Sequence, residues 1–141
     1  MSDVLRHEVR IEAPLDVVRS YFTDPARLRL WWPARADIDP HGGGRMRLEF
    51  DRPGAPPDVA IGEIMELSER RIVFTWGFQA DPDLPPGASR VEITLEPVET
   101  GTIVRLAHHG LPETQAEQHD QGWAFFLGRL AVAATAEARP A

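Results

Sequence analysis

The histidines are the side chains of this sequence best suited to move protons near neutral pH. His108 follows Val104 and Leu106 in the alternation of "TIVRLAHHG", which predicts that its ring lies on the apolar face of a strand. An imidazole on that face can hydrogen-bond a ligand carbonyl or carry a proton; the alternative is a core histidine paired with a neighbouring group. His119 lies one helical turn before Trp123 and could face the same opening.

A carboxylate beside His108 would complete an acid/base couple, and Glu63 is the candidate. Its direction is left open by "IGEIMEL", because Ile61 and Ile64 fall on opposite faces of a regular strand and a bulge can intervene. The alternative is a glutamate in solvent. The pairing of Glu63 with His108 is therefore a hypothesis.

Other catalytic and metal chemistries are not indicated. The sequence has no cysteine and no H-x-x-x-H spacing, which argues against thiolate chemistry and tight metal ligation. "HGGGR" is accompanied by neither a G-x-S-x-G nucleophile nor a Lys-bearing phosphate loop, so its glycines predict a hairpin turn. We predict no metal and no cofactor, and no catalytic residue beyond the candidate His108.

Two adjacent tryptophans precede a proline in "TDPARLRLWWP". Trp31 is in helical phase with Leu28 and is predicted to point into the core, whereas Trp32 lies about 100° further around the helix and is predicted nearer a rim. Both rings could serve only to bury apolar surface in the core, or one of them could contact a ligand at the entrance of a cavity. Both interpretations stay open.

Composition limits the class of protein. The length of 141 residues suits one domain, predicted to span 1–141 with a core at about 4–137. A net charge of -7 without clustered Arg and aromatic residues argues against nucleic-acid binding. No apolar run reaches the roughly 18 to 20 residues that span a bilayer, and "MSDVLRHEVRIEAP" lacks a signal sequence, so we predict a cytoplasmic protein.

Alternating apolar residues predict antiparallel strands at 4–12, around 46–50, twice within 59–78 on either side of "SER", and in a hairpin over 90–110 that turns at 99–101. The stretch 51–57 is predicted to be a turn or a loop, and the Pro-rich stretch 79–89 a long loop that is exposed and mobile. Helical spacing predicts short helices at 14–22 and from Asp24 to Pro33. A long amphipathic helix is predicted from Gln115 to about Glu137.

The long helix is the element able to cover the apolar face of the sheet. Its inward stripe is formed by His119, Trp123, Leu127, Leu130 and Ala134. On the sheet, Ile72, Phe74, Trp76 and Phe78 share one face. Rings at this density make either a solid core or the wall of an apolar pocket.

The sequence resembles a known family in "TDPARLRLWWP", "GGGRMRLEF", "GEIMELSERRIVFTW", "VEITLEPVETGTIVRLAHHG" and "HDQGWAFFLGRLA". These stretches are similar to the START-like helix-grip (SRPBCC) superfamily, within it to the group of the C-terminal domain of the activator of the Hsp90 ATPase. The resemblance implies an α+β helix-grip fold: a curved antiparallel sheet around a long C-terminal helix, two short helices after the first strand, and a cavity between sheet and helix. That superfamily includes carriers, cyclases and co-chaperone domains, so its implication for function is broad.

We predict a non-catalytic protein that binds a small hydrophobic or aromatic molecule in that cavity. The predicted ligand-binding residues are Trp31, Trp32, Met46, Leu48, Phe74, Trp76, Phe78, Val104, Leu106, His108, His119, Trp123 and Leu127. One alternative is a polyketide cyclase or dehydratase that uses His108 as a proton carrier. Another is an interaction module like the Hsp90 activator, although no chaperone partner is indicated. A homodimer could also form through a strand edge or the Trp32 rim.

Overall fold

Residues 4–139 are described by a computed structural model of the chain. Strands and helices follow the order β1 (Leu5–Ile11), α1 (Leu15–Thr23), α2 (Pro25–Leu28), β2 (Arg35–Ile38), β3 (Arg45–Arg52), β4 (Ala55–Leu67), β5 (Arg71–Phe78), β6 (Ser89–Val98), β7 (Gly101–His109) and α3 (Glu113–Ala138). The strands form one curved seven-stranded sheet in the order β1-β7-β6-β5-β4-β3-β2. Every neighbouring pair is antiparallel. The predicted helix-grip α+β class is confirmed.

The short edge strand β2 was not predicted. It has four residues and pairs with β3 from Arg35 opposite Glu49 to Ile38 opposite Met46. Four residues after Pro33 are too few to establish an alternating pattern, so the neighbouring strand decides the conformation of this segment.

Of the turn or loop predicted at 51–57, the structure has a short turn. β3 continues to Arg52, β4 begins at Ala55, and only Pro53 and Gly54 form the turn, with Gly54 at a φ of 68°. The register shifts between Phe50 and Arg52. This irregularity accommodates Pro56 and Pro57 in the strand, because residues at a bulge need no ladder hydrogen bond.

A second bulge, between Ile64 and Glu66, explains the irregular pattern of "IGEIMEL". Ile64 is buried, whereas Glu63 is exposed on the opposite face. Glu63 therefore does not lie inward beside His108, and the proposed acid/base couple is wrong. The alternative, a glutamate in solvent, is the one the structure supports, and the bulge begins only after Ile64.

The first short helix and the N-cap of the second follow from local sequence. The Asp24 carboxylate accepts a hydrogen bond from the Ala26 N–H at 3.0 Å, and Pro25 begins α2. α2 ends at Leu28, earlier than predicted, but a further turn follows in which the Trp32 N–H donates to the Leu28 carbonyl at 2.9 Å. This turn directs both indoles toward the sheet.

The long helix α3 covers the inner face of the sheet, as predicted. It begins at Glu113, directly after Pro112, and buries Trp123, Leu127, Leu130 and Ala134. Its C-terminal end is tied to α1, because the Tyr21 hydroxyl donates to Glu137 at 2.9 Å. Of the helices within residues 4–139, none has the combination of length and hydrophobicity that a bilayer crossing requires.

The segment 79–88 is a loop, as predicted. Contrary to the prediction, it is not exposed along its whole length. Leu84 is fully buried, and its carbonyl accepts a hydrogen bond from the Phe78 N–H at 2.8 Å. The loop is thereby held against the end of β5, where it forms part of the site described below.

Candidate functional site

Trp32 is the centre of an aromatic cluster between the sheet and α3. Its ring stacks on Trp31 at 5.1 Å and 17° and on Trp76 at 5.4 Å and 12°. The ring of Trp123 on α3 lies 5.3 Å away. Trp32 is only 6% exposed, so its predicted position at a rim is wrong. Trp31 is fully buried, as predicted, and its indole N–H donates to the Tyr21 carbonyl at 2.9 Å.

A half-open cleft of about 1010 Å³ lies against this cluster. Its aromatic wall is formed by Trp32, Phe50, Trp76, Phe78, Trp123 and Phe126. Its remaining sides are the end of the β3–β4 hairpin (52 and 56–59), the loop segment 79–83, and the N-terminal half of α3 (114, 115, 118, 119 and 122). We call this feature the cleft.

Only part of the predicted ligand-binding set lies at the cleft. Trp32, Trp76, Phe78, His119 and Trp123 line it. The other predicted residues are buried elsewhere in the core and do not line it: Trp31, Met46, Leu48, Phe74, Val104, Leu106, His108 and Leu127. The open space lies between the N-terminal half of α3, the β3–β4 hairpin and the loop, whereas these eight residues are enclosed by other side chains. The sequence pattern shows that a side chain points inward. It does not show whether that side chain lines a cleft or packs in the core.

Several lining residues were missed by the sequence analysis. Phe50 alternates with Met46 and Leu48 on β3, and Phe126 lies one turn after Trp123 on α3, so both had a periodic signal. Asp81 had no periodic signal in the sequence, because its position depends on how the loop folds back onto α3.

His108 is a core residue with both ring nitrogens paired. Its Nδ1 accepts from the Trp123 indole N–H at 3.0 Å, and its Nε2 lies 2.9 Å from the Ser89 hydroxyl oxygen. Ser89 donates to the Trp76 carbonyl at 2.7 Å. Because an indole N–H only donates and a carbonyl only accepts, the proton of His108 is on Nε2 and is donated to Ser89. This pairing leaves His108 no nitrogen for a molecule in the cleft.

His119 has the opposite tautomer. Its Nδ1 lies 3.0 Å from the Gln115 carbonyl and must donate to it, while its Nε2 accepts from the Trp76 indole N–H at 3.3 Å. Trp76 thus contacts both histidine networks, through its carbonyl and through its side chain. These bonds hold the wall of the cleft in one arrangement.

Burial keeps both imidazoles neutral. Loss of hydration, followed by the nearby His119 and His109, lowers the pKa of His108 to about 3. Burial also lowers the pKa of His119, against the opposing effects of the Gln115 carbonyl and the Asp81 carboxylate. Around neutral pH, neither ring contributes a positive charge to the site.

A polar side of the cleft is built around Asp81. One carboxylate oxygen accepts from the Gln115 amide at 2.9 Å and the other accepts from the Asp83 backbone N–H at 2.9 Å. These two bonds, the Asp83 N–H first, lower the pKa of Asp81. Across the cleft, Arg52 pairs with Asp58 at 2.9 Å. Within residues 4–139, no group of three or more His, Asp or Glu side chains is arranged to hold a metal ion.

Comparison with known proteins supports the same architecture. Residues 12–135 match the family model described as activator of Hsp90 ATPase homolog 1-like protein. An AHSA1-like protein from Rhizobium etli is 34% identical with a TM-score of 0.73, covering 96% of this chain and 83% of that one. A protein from Chromobacterium violaceum is 28% identical with a TM-score of 0.85, covering 96% and 99% of the two chains.

DynU16, a protein in the dynemicin biosynthetic locus, is 26% identical with a TM-score of 0.78. The match covers 94% of this chain but 47% of DynU16, so this chain spans about half the length of that protein. No curated protein sequence matches the chain.

Proposed function

Because the chain belongs to the family of activator of Hsp90 ATPase homolog 1-like proteins, we propose that it binds a small hydrophobic, aromatic molecule in the cleft without catalysing its conversion. One observation carries the proposal: a half-open space of about 1010 Å³ beside the indoles of Trp32, Trp76 and Trp123. Ligand pockets commonly enclose roughly 300 to 1,000 Å³ and have mostly apolar walls.

The hydrogen bonds of the wall support binding through aromatic surfaces. The indole N–H groups of Trp76 and Trp123 are already donated to His119 and His108. These two side chains therefore offer a ligand carbon surface rather than a free donor. Such a wall favours flat apolar molecules, because ring stacking and exclusion of water supply the affinity.

The cyclase or dehydratase alternative has less support. His108 does not line the cleft, and its basic Nδ1 is occupied by the Trp123 N–H. A proton carrier needs a free nitrogen within reach of the substrate and a pKa near the working pH. The interaction-module alternative, the homodimer and the cytoplasmic location stay predictions.

Two glycines of α3 offer a matched test of the proposal. Gly122 lines the cleft, Gly128 does not, and a Cβ atom added at either position would meet nothing within 4 Å. Gly122→Leu should place a side chain in the cleft and narrow it, whereas Gly128→Leu should leave it unchanged. Both changes add helix propensity worth up to about 1 kcal/mol, so neither should unfold the protein.

Binding of the neutral fluorophore N-phenyl-1-naphthylamine measures the difference. We expect saturable binding to the natural protein and to Gly128→Leu, and a loss of about tenfold or more in affinity for Gly122→Leu. Absence of saturable binding to the natural protein would overturn the proposal. Equal affinities of the two variants would also overturn it, because the probe would then bind outside the cleft.

A further inference from the structure

The cleft has an unequal distribution of charge. Its charged lining side chains are Arg52, Asp58, Asp81 and Asp83. Arg52 lies 2.9 Å from Asp58, so these two charges offset each other. The carboxylates of Asp81 and Asp83 have no such basic partner among the lining residues. The cleft therefore has a net negative potential.

Asp81 is held in a defined position beside the aromatic wall. Its carboxylate is bound by the Gln115 side chain and the Asp83 N–H, each at 2.9 Å. Gln115 precedes His119 by one turn of α3, about 6 Å along the helix axis, and His119 contacts Trp76. Each oxygen of Asp81 retains a lone pair for a further donor. A ligand packed against the aromatic wall therefore needs only a short substituent to reach this carboxylate.

The aromatic wall adds to the same preference. The faces of aromatic rings have negative electrostatic potential and attract cations within about 6 Å of the ring centre. The half-buried rings of this wall are Phe50, Phe78 and Phe126, whereas Trp32 is covered on both faces by Trp31 and Trp76. His119, the titratable group closest to these rings at the cleft, is neutral and does not offset this potential. An anionic group would be repelled both by the ring faces and by Asp81 and Asp83.

We infer that the molecule bound in the cleft is an aromatic amine, with its ring against the aromatic wall and its positively charged nitrogen at Asp81. This inference rests on the proposed function and specifies its ligand class. It excludes aromatic carboxylates and fatty acids as preferred ligands. The charge of the protein as a whole, -7, also favours the approach of cations.

Three naphthalene compounds that differ in charge test the inference. These are 1-naphthylmethylamine, 1-naphthylmethanol and 1-naphthoic acid, which are cationic, neutral and anionic at pH 7. Titration calorimetry should show the amine binding about tenfold tighter than the alcohol, and the acid weakest. The preference for the amine should decrease as salt is added.

Asp81→Asn should abolish the preference for the amine over the alcohol, because it removes the charge and retains an oxygen for the Asp83 N–H. Asp37→Asn is the matched control, since Asp37 is an exposed aspartate of β2 outside the cleft. This control should retain the preference.

The outcomes separate this inference from the proposed function. If the alcohol or the acid binds as tightly as the amine, the inference is wrong and the binding function stands. If Asp81→Asn weakens all bound compounds equally, Asp81 only shapes the loop and the assignment of its charge is wrong. If neither these compounds nor N-phenyl-1-naphthylamine bind, both proposals fail.

Discussion

At the scale of single residues, Trp32 shows that one side chain serves both the core and the site. Its ring contacts Trp31, Trp76 and Trp123, and it also lines the cleft. A rim residue would be dispensable for folding. A residue stacked between two other indoles is not, because its removal leaves a large void.

Trp32→Ala should therefore reduce the free energy of unfolding by about 3 to 5 kcal/mol. Urea denaturation followed by circular dichroism measures this loss. Phe125→Ala is the comparison, because Phe125 is 61% exposed and its truncation should cost less than about 1 kcal/mol. Similar stabilities for the two variants would mean that Trp32 does not support the core.

At the scale of elements, the cleft depends on how the loop 79–88 rests on β5. Gly77 permits this approach: a Cβ atom there would lie 2.0 Å from the Pro85 carbonyl oxygen and 2.3 Å from its carbonyl carbon. No real Cβ fits at that distance, and the obstacle is backbone, which cannot rotate away as a side chain does. The close contact of strand and loop thus requires glycine at this position.

Gly77→Ala should displace the loop and with it Asp81. We expect a loss of about 1 to 3 kcal/mol in the free energy of unfolding and weaker binding of the naphthyl probe. Gly128 lies on the solvent-exposed side of α3, outside the cleft. Gly128→Ala should therefore stabilise the protein by up to about 1 kcal/mol. Unchanged stability and probe affinity in Gly77→Ala would contradict this account of the loop.

At the scale of the whole molecule, the buried histidines couple folding to pH. The pKa of His108 is about 3 in the folded protein and 6.5 in its unperturbed state. Between these values the unfolded chain binds a proton that the folded protein does not, so the free energy of unfolding falls as pH falls from 6.5 toward 3. His119, whose pKa is also lowered, acts in the same direction, and the exposed His41, whose pKa is raised, opposes it.

Urea unfolding between pH 7 and pH 4.8 should show this dependence, with a slope of about 1.4 kcal/mol per pH unit below 6.5 for the His108 proton. His108→Gln can still accept from Trp123 and donate to Ser89, but it does not titrate. We expect this variant to be less stable at pH 7 and to have a shallower slope.

Nitrogen NMR of the natural protein provides an independent check. It should show the Nε2–H tautomer for His108 and the Nδ1–H tautomer for His119 throughout the same pH range. Titration of His108 near pH 6.5 would contradict the buried neutral ring.

Apart from the short strand β2, the sequence determined the order of the elements and the inward direction of most apolar side chains. The hairpin of β6 and β7, the stripe of α3 and the burial of Trp31 follow from periods of 2 and 3.6 residues, which are local properties of the chain. The cap at Asp24 was equally local. The family resemblance added the curved sheet and the gripping helix.

Only the tertiary structure decided which inward residues meet open space and which are packed. His108 and Trp123 both point inward, yet only Trp123 lines the cleft, because the ring of His108 is enclosed by those of Trp76, His119 and Trp123. The pairing of β4 that leaves Glu63 on the outer face and the loop that carries Asp81 to Gln115 also depend on contacts between distant segments. A local period assigns a side chain to a face, whereas a cleft is a volume left between elements, and its position depends on all of them at once.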